Sequence, residues 1–239
     1  MEKVKLTRFI DKYHLGGNVN AVVINSKSNK LSTRFITGDK ALLGELSVNN
    51  FTFEDTELGV YDTEQLSKLL SVLSDDVTFN LSESSGKAIA LEVNDQHSSV
   101  NFMLSDKSVI NQPPALKQLP EFQVRIKVDT QFINRFISGK GALPDTDTFT
   151  IANSDGKVEV IIGFSNVQTN RVTIPVEAKE IGHFDVASFN ATMFASILNA
   201  NKECNKAVLK VSSQGISTIS FEIDDYHSEY YLVASQQVN

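Results

Sequence analysis

The segment LGVYDTEQLSKLLSVLSDDVTFNL, Leu58 to Leu81, decides the reading of the chain. It opens on a short apolar run that reads as a strand and passes Asp62. It then enters a stretch where Leu66, Leu69, Leu70 and Leu73 recur at i, i+3, i+4 and i+7. That spacing makes one apolar stripe on an α-helix. Asp62 stands where a capping carboxylate accepts the orphan N–H groups of a first turn, and Gln65 follows at the capping-box position. The Asp75-Asp76 step reads as a turn, and Val77–Leu81 returns to a strand.

The same unit recurs along the chain. Helix cores fall at Phe9-Ile10, Leu69-Leu70, Phe136-Ile137 and Ile197-Leu198, at intervals of 60, 67 and 61 residues. A period this regular organises a fold. The lead-ins VRIKVDTQF and HFDVASFNA match LGVYDTEQL, with Asp129 and Ser188 as the predicted caps. The first helix begins too near the N-terminus for a full lead-in strand, although Glu2 to Lys5 offer room for a short one. Leu6, Phe9, Ile10 and Tyr13 form the first stripe. Phe132, Ile133, Phe136 and Ile137 form the third, and Met193, Phe194, Ile197 and Leu198 the fourth.

Three strands are predicted after each helix. They are Asn20–Asn25, Leu31–Thr37 and Leu42–Val48, then Val77–Leu81, Ala88–Val93 and Ser99–Leu104. Phe149–Ala152, Val158–Phe164 and Arg171–Ala178 follow, and last Ala207–Val211, Ser217–Ile223 and Glu229–Ala234. Turn chemistry separates them: SSGK, NSDGK, SSQG and the Asp224-Asp225 step. Alternation in ISTISFEI and VEVIIGF implies half-buried antiparallel strands. The unit is therefore β-α-β-β-β, used four times in an α+β fold. Pro113, Pro114 and Pro120 interrupt the pattern in SDKSVINQPPALKQLPEF, Ser105 to Phe122. This divides the chain into domains at 1–107 and 122–239, joined by a connecting loop over 108–121.

Composition narrows the function. Hydrophobic residues make up 41% and charged residues 21%, the balance of a globular chain. No stretch reaches the roughly 18 apolar residues of a membrane span, and the charged N-terminus MEKVKLTRFIDKYH has no apolar signal core. A cytoplasmic protein with no membrane partner is expected. Cys204 is the single cysteine, which excludes an internal disulfide. The net charge of −7 argues against nucleic acid unless basic residues gather on one face.

With these repeats, linker and length, the chain resembles the DNA sliding clamps, and in particular the clamp of T-even-like bacteriophages. LGVYDTEQLSKLLSVLSDDVTFNL resembles that family's second helix and the strand after it. The region from HFDVASFNATMF through SEYYLVAS resembles its last repeat, and SEYYLVAS also resembles the C-terminal strand of proliferating cell nuclear antigen. The resemblance implies two similar domains with antiparallel sheets outside and helices lining a central hole. Such chains close as homotrimers around duplex DNA without reading sequence. They tether a replicative DNA polymerase, are opened by an ATP-dependent clamp loader, and carry no cofactor.

That resemblance gives the helix cations a role. Lys5, Arg8 and Lys12 lie along one side of the first helix, and Lys68 lies opposite the leucine stripe of the second. Arg135 lies on the polar side of the third. Lys140 sits between Gly139 and Gly141, which are expected to end that helix, so the SGKGAL run reads as a helix stop rather than a phosphate loop. Lys202 and Lys206 follow the fourth. Taken alone these residues read as solvated faces; in a clamp they face DNA. Acid-rich stretches at Glu45–Asp62, Asp145–Asp155 and Asp224–Glu229 would form a repelling outer shell.

The resemblance also implies a pocket for partner peptides made by Leu42, Leu43, Leu116, Leu119, Tyr231 and Leu232. The apolar linker residues Val109, Ile110, Leu116 and Leu119 equally suit a loop tucked onto its sheet. For ring closure, the resemblance implies that Ser99–Leu104 of one subunit pairs with Arg171–Val176 of the next, where Arg171 and Asp106 could add complementary charges.

The alternative class is a non-enzymatic phage structural or carbohydrate-binding β-rich module, which four regularly spaced helices disfavour. No nucleophile–base pair or metal-ligand spacing points to an enzyme. His14, His97, His183 and His227 are scattered, and the aspartate pairs fall at turns.

Overall fold

The computed structural model describes residues 2–235 apart from Lys117, Asp155, Gly156, Asn166, Gln168, Ile181, Gly182 and Asp185. The Asp155-Gly156 turn and Asp185 of the fourth lead-in thus lie outside the described residues. The chain folds as two compact units. The first comprises Met1–Thr37, Gly44–Pro114 and Asp224–Ser228; the second comprises Gly38–Leu43, Ala115–Ile223 and Glu229–Asn239.

In the first unit α1 (Glu2–His14) precedes β1 (Val22–Lys27), β2 (Lys30–Ile36) and β3 (Leu42–Val48), which joins this unit from Gly44 onward. Then come β4 (Thr56–Val60), α2 (Thr63–Ser71), β5 (Thr78–Ser84), β6 (Lys87–Asn94) and β7 (Ser99–Met103). The strands form two layers, β3-β2-β1-β4 and β5-β6-β7. Each ladder with a determined register is antiparallel. α1 begins at Glu2, so the short strand expected over Glu2–Lys5 is absent. The apolar spacing of VKLTRFIDKY carries the helix through those residues.

The helices form where their stripes predict. Leu6, Phe9, Ile10 and Tyr13 of α1 are buried, as are Leu66 and Leu70 of α2 and Leu73 just beyond it. Asp62 caps α2 by accepting the Gln65 N–H at 2.9 Å. Tyr13 and Thr63 hydroxyls meet at 3.2 Å between the two helices, and burial pushes the Tyr13 phenol above its ordinary range.

The second unit contains β8 (Val124–Val128), α3 (Thr130–Ala142), β9 (Thr148–Ser154), β10 (Lys157–Ile162) and β11 (Val172–Pro175). It continues with β12 (Ala178–Glu180), β13 (Val186–Asn190), α4 (Ala191–Ala200), β14 (Ala207–Ser212), β15 (Ile216–Ile223) and β16 (Tyr226–Val233), whose first residues, through Ser228, belong to the first unit. Its layers run β11-β10-β9-β13 and β12-β8-β14-β15-β16. Between them Phe194 stacks on Phe149 at 4.7 Å and meets Phe136 edge-on at 4.9 Å. All three rings are fully buried.

Three local expectations change here. The cap of α4 is Asn190, which accepts the Met193 N–H at 2.8 Å, not Ser188. Ser188 stays in β13 and its hydroxyl meets that of Thr150 at 2.8 Å. The predicted strand Arg171–Ala178 splits into β11 and β12 around Val176-Glu177. Finally, α3 runs through Gly139 and Gly141 to Ala142. A Cβ on Gly139 would lie 3.1 Å from Val172 and 3.2 Å from Ile162 side-chain atoms. Glycine therefore serves close helix–sheet packing there, not helix termination.

The lead-in strands exchange partners. β4 of the second repeat pairs with β1 of the first. β13 of the fourth pairs with β9 of the third, and β8 of the third pairs with β14 of the fourth. The second, third and fourth repeats thus each lend a strand to a neighbour's sheet, while the first, which lacks a lead-in strand, only receives one.

Candidate nucleic-acid interface

Amphipathic helices with one buried stripe leave a polar face, and its cations decide what that face can hold. Lys68 stands on α2 with its side chain 73% exposed. Its ammonium donates to Glu64 Oε1 at 2.6 Å, and that bond and charge push its pKa up. Arg135 is exposed on α3, beside a cleft of ≈ 160 Å³ lined by Lys127, Asp129, Gln131, Ile174 and Glu177 among others. Lys202 and Lys206 are exposed in the turn after α4. Lys140 is half-buried and donates to the Pro144 carbonyl at 2.7 Å, so it closes the end of α3.

The cations of α1 sit differently. Lys5 donates to the Asn50 carbonyl at 2.7 Å and lies 3.1 Å from Asp225 Oδ2. Arg8 Nη1 lies 3.2 Å from Asp224 Oδ2, and its guanidinium sits 4.7 Å from the centre of the Tyr226 ring. Lys12 is a correction. It is 1% exposed, and its ammonium lies 5.5 Å from the centre of the Tyr226 ring. It is enclosed by the fold rather than presented to a duplex. The i, i+3, i+7 spacing placed it beside Lys5 and Arg8, but position i+7 has turned under the Tyr226 ring. Sequence reasoning missed Asn50, Asp224, Asp225 and Tyr226 as partners of α1, because nothing local links residue 5 to residue 225.

The six residues of the expected peptide pocket also divide. Leu42 is 0% and Leu232 1% exposed, so both belong to the core and cannot line a groove. Leu43 and Tyr231 are buried with thin exposed margins, whereas Leu116 and Leu119 are exposed. Strand alternation explains the division, since neighbours in a strand point to opposite faces.

The first part of the connecting segment is pinned to the first unit. Ser105 N–H donates to the Gly59 carbonyl at 2.9 Å, and Lys107 pairs with Glu57. Asp106 accepts the Ser108 N–H at 2.9 Å and so opens a short turn. Ile110 and Pro113 are buried, and Arg34 donates to the Pro114 carbonyl at 2.7 Å while bonding Glu45 at 2.9 Å. Ile110 is thus an anchor, while Val109 is exposed. Beside this anchor lies a polar cleft of ≈ 370 Å³, with Asn25, Ser32, Arg34, Glu45, Gln112 and His227 in its lining.

No protein-family model and no curated protein matches the chain by sequence. Among solved structures it is similar to the crystal structure of proliferating cellular nuclear antigen from Entamoeba histolytica. The TM-score is 0.73 at 14% identity, over 98% of this chain and 96% of that one. The chain has the sliding-clamp fold. Within this clamp fold, β7 and β11 are the outermost strands of their sheets. Met103 is exposed at the end of β7. Pro175, at the end of β11, supplies no backbone N–H, which shortens the donor row that edge can offer. Among the described residues no helix is long and apolar enough to cross a membrane.

Proposed function

We propose that this chain is a non-enzymatic sliding clamp of the bacteriophage kind. It closes head-to-tail into a homotrimeric ring around duplex DNA and tethers a replicative polymerase. An ATP-driven loader opens it, and the ring works in the cytoplasm of a host cell. The observation that carries this reading is the clamp fold over nearly the whole length of an acidic chain whose helices still present Lys68 and Arg135. Lys5, Arg8, Lys140, Lys202 and Lys206 complete the proposed DNA-facing set, without Lys12.

The physics suits the task. Phosphate contacts position a duplex without reading its bases. A few cations within an acidic protein attract DNA to one face and repel it from the others. Ring closure through different edges, β7 of one subunit against β11 of the next, is a heterologous contact that must close on itself. Leu43, Leu116, Leu119 and Tyr231 would take apolar anchors of partner peptides.

Two measurements test the reading. Light scattering should give the mass of a trimer. Lys68→Glu with Arg135→Glu should keep that mass yet weaken binding to a fluorescent duplex, with the salt dependence falling by about 0.9 per lost phosphate contact. A monomer at all concentrations, or duplex binding indifferent to both reversals, refutes it.

A further inference from the structure

The turn between β15 and β16 consists of Asp224 and Asp225, and these two residues belong to the first unit with α1. Asp224 has φ 53°, the left-handed region that glycine, asparagine and aspartate adopt in tight turns. Aspartate is a good turn residue, but the turn geometry requires no charge at either position. The contacts of the two carboxylates suggest a reason for their charge. Asp224 pairs with Arg8 at 3.2 Å, and Asp225 pairs with Lys5 at 3.1 Å. Asn50 Nδ2 donates to Asp225 Oδ1 at 3.0 Å, and the Asn49 N–H donates to the Asp225 carbonyl at 3.0 Å. The Tyr226 hydroxyl donates to the Lys5 carbonyl at 3.0 Å, fixing the turn against the helix. The Asp225 carboxyl lies below its usual range because Lys5, then Asn50, hydrogen-bond its ionised form.

We propose that Asp224 and Asp225 act as resident substitutes for phosphate. They hold the cations of α1 and so set how tightly the protein grips a duplex. Lys5 is 24% and Arg8 36% exposed, and Asp224 is 70% exposed. Ion pairs this open to water are weakly held. A DNA phosphate therefore displaces a carboxylate with little desolvation, trading one charge-assisted contact for another. The exchange is near balance, as a ring that slides requires. A face of unpaired cations would bind phosphate more tightly and release it more slowly. This inference rests on the DNA-encircling reading above and adds a regulating pair to it.

The test is salt-dependent anisotropy of a short fluorescent duplex with the intact protein. Asp224→Asn with Asp225→Asn keeps the side-chain size and removes both charges. It should tighten binding by about tenfold, equal to 1.4 kcal/mol, and steepen the salt dependence. Asp145→Asn with Asp147→Asn makes the same net change elsewhere and should do much less. In a Lys5→Gln, Arg8→Gln background the Asp224 and Asp225 substitutions should have no effect. If the turn variant fails to fold, Asp225→Asn alone serves as the second variant. Equal gains from the two aspartate pairs, or a gain that persists without Lys5 and Arg8, overturn the proposal while leaving the DNA reading intact. Binding untouched by Lys68→Glu and Arg135→Glu refutes the DNA reading itself.

Discussion

Lys12→Glu and Lys68→Glu are the same substitution with opposite expected outcomes. Lys12 is 1% exposed, with its ammonium 5.5 Å from the centre of a ring that Arg8 also faces at 4.7 Å. A carboxylate there faces the negative face of the Tyr226 ring and has lost access to water. Breaking a buried charge arrangement in this way costs about 3–5 kcal/mol. At about 2–4 °C per kcal/mol for a chain of this size, the thermal midpoint falls by roughly 6–20 °C. Lys12→Met keeps the packed stem but removes the charge from the same buried arrangement, so it too should lower the midpoint. Lys68 is 73% exposed, so its reversal should leave the midpoint near wild type and act on duplex binding instead. Circular dichroism melts beside duplex anisotropy separate the two. A Lys12→Glu protein with the wild-type midpoint and weakened duplex binding would refute the burial argument and return Lys12 to the surface.

Gly59→Ala should release the connecting segment, because a Cβ at that position would collide with the Ser105 carbonyl oxygen. The overpacking should cost about 1–3 kcal/mol, and protease cleavage within 105–114 should accelerate while duplex binding holds. Asp95 accepts N–H groups from Ser74 at 2.6 Å, His97 at 2.8 Å and Ser98 at 2.6 Å, which hold its carboxyl well below the usual range. A depressed folded value means stability that is present above the ordinary carboxylate pKa of about 3.9 and lost as pH falls through the folded one. Asp95→Ala should therefore melt below wild type near neutral pH, with the gap closing in acid. A gap that stays constant down to about pH 2 would refute the assignment.

Much of the fold was legible because it depends on short-range pattern. Of the predicted stripe, Leu66, Leu70 and Leu73 are buried and Leu69 is half-buried, and Asp62 and Asp129 cap their helices as their positions suggest. Leu42–Val48 matches its strand to the residue. The errors have local causes too. Ser188 and Asn190 are both capping residues, and only the length of β13 selects Asn190. Gly139 read as a stop because a packing glycine and a terminating glycine look alike in sequence.

The candidate site was less legible. Lys68 and Arg135 lie exposed on their helices, where helical phase alone places them, and Lys202 and Lys206 are exposed in the turn after α4. Lys12 shares that phase and is nonetheless enclosed, because the ring that covers it is Tyr226, far along the chain. Leu42 and Leu232 likewise sit on the inward side of strands whose outward side holds Leu43 and Tyr231.

Periodicity, capping chemistry and the four repeats were determined by the sequence itself, because each depends on residues within a turn or two of one another. The exchange of lead-in strands between repeats, the Asp224-Asp225 pairing with α1, and the anchoring of Ser105–Pro114 were decided only by the tertiary structure. Those contacts join residues up to 221 positions apart. Which backbone edge or charge a segment meets at that range follows from how whole layers pack, and no local pattern encodes it.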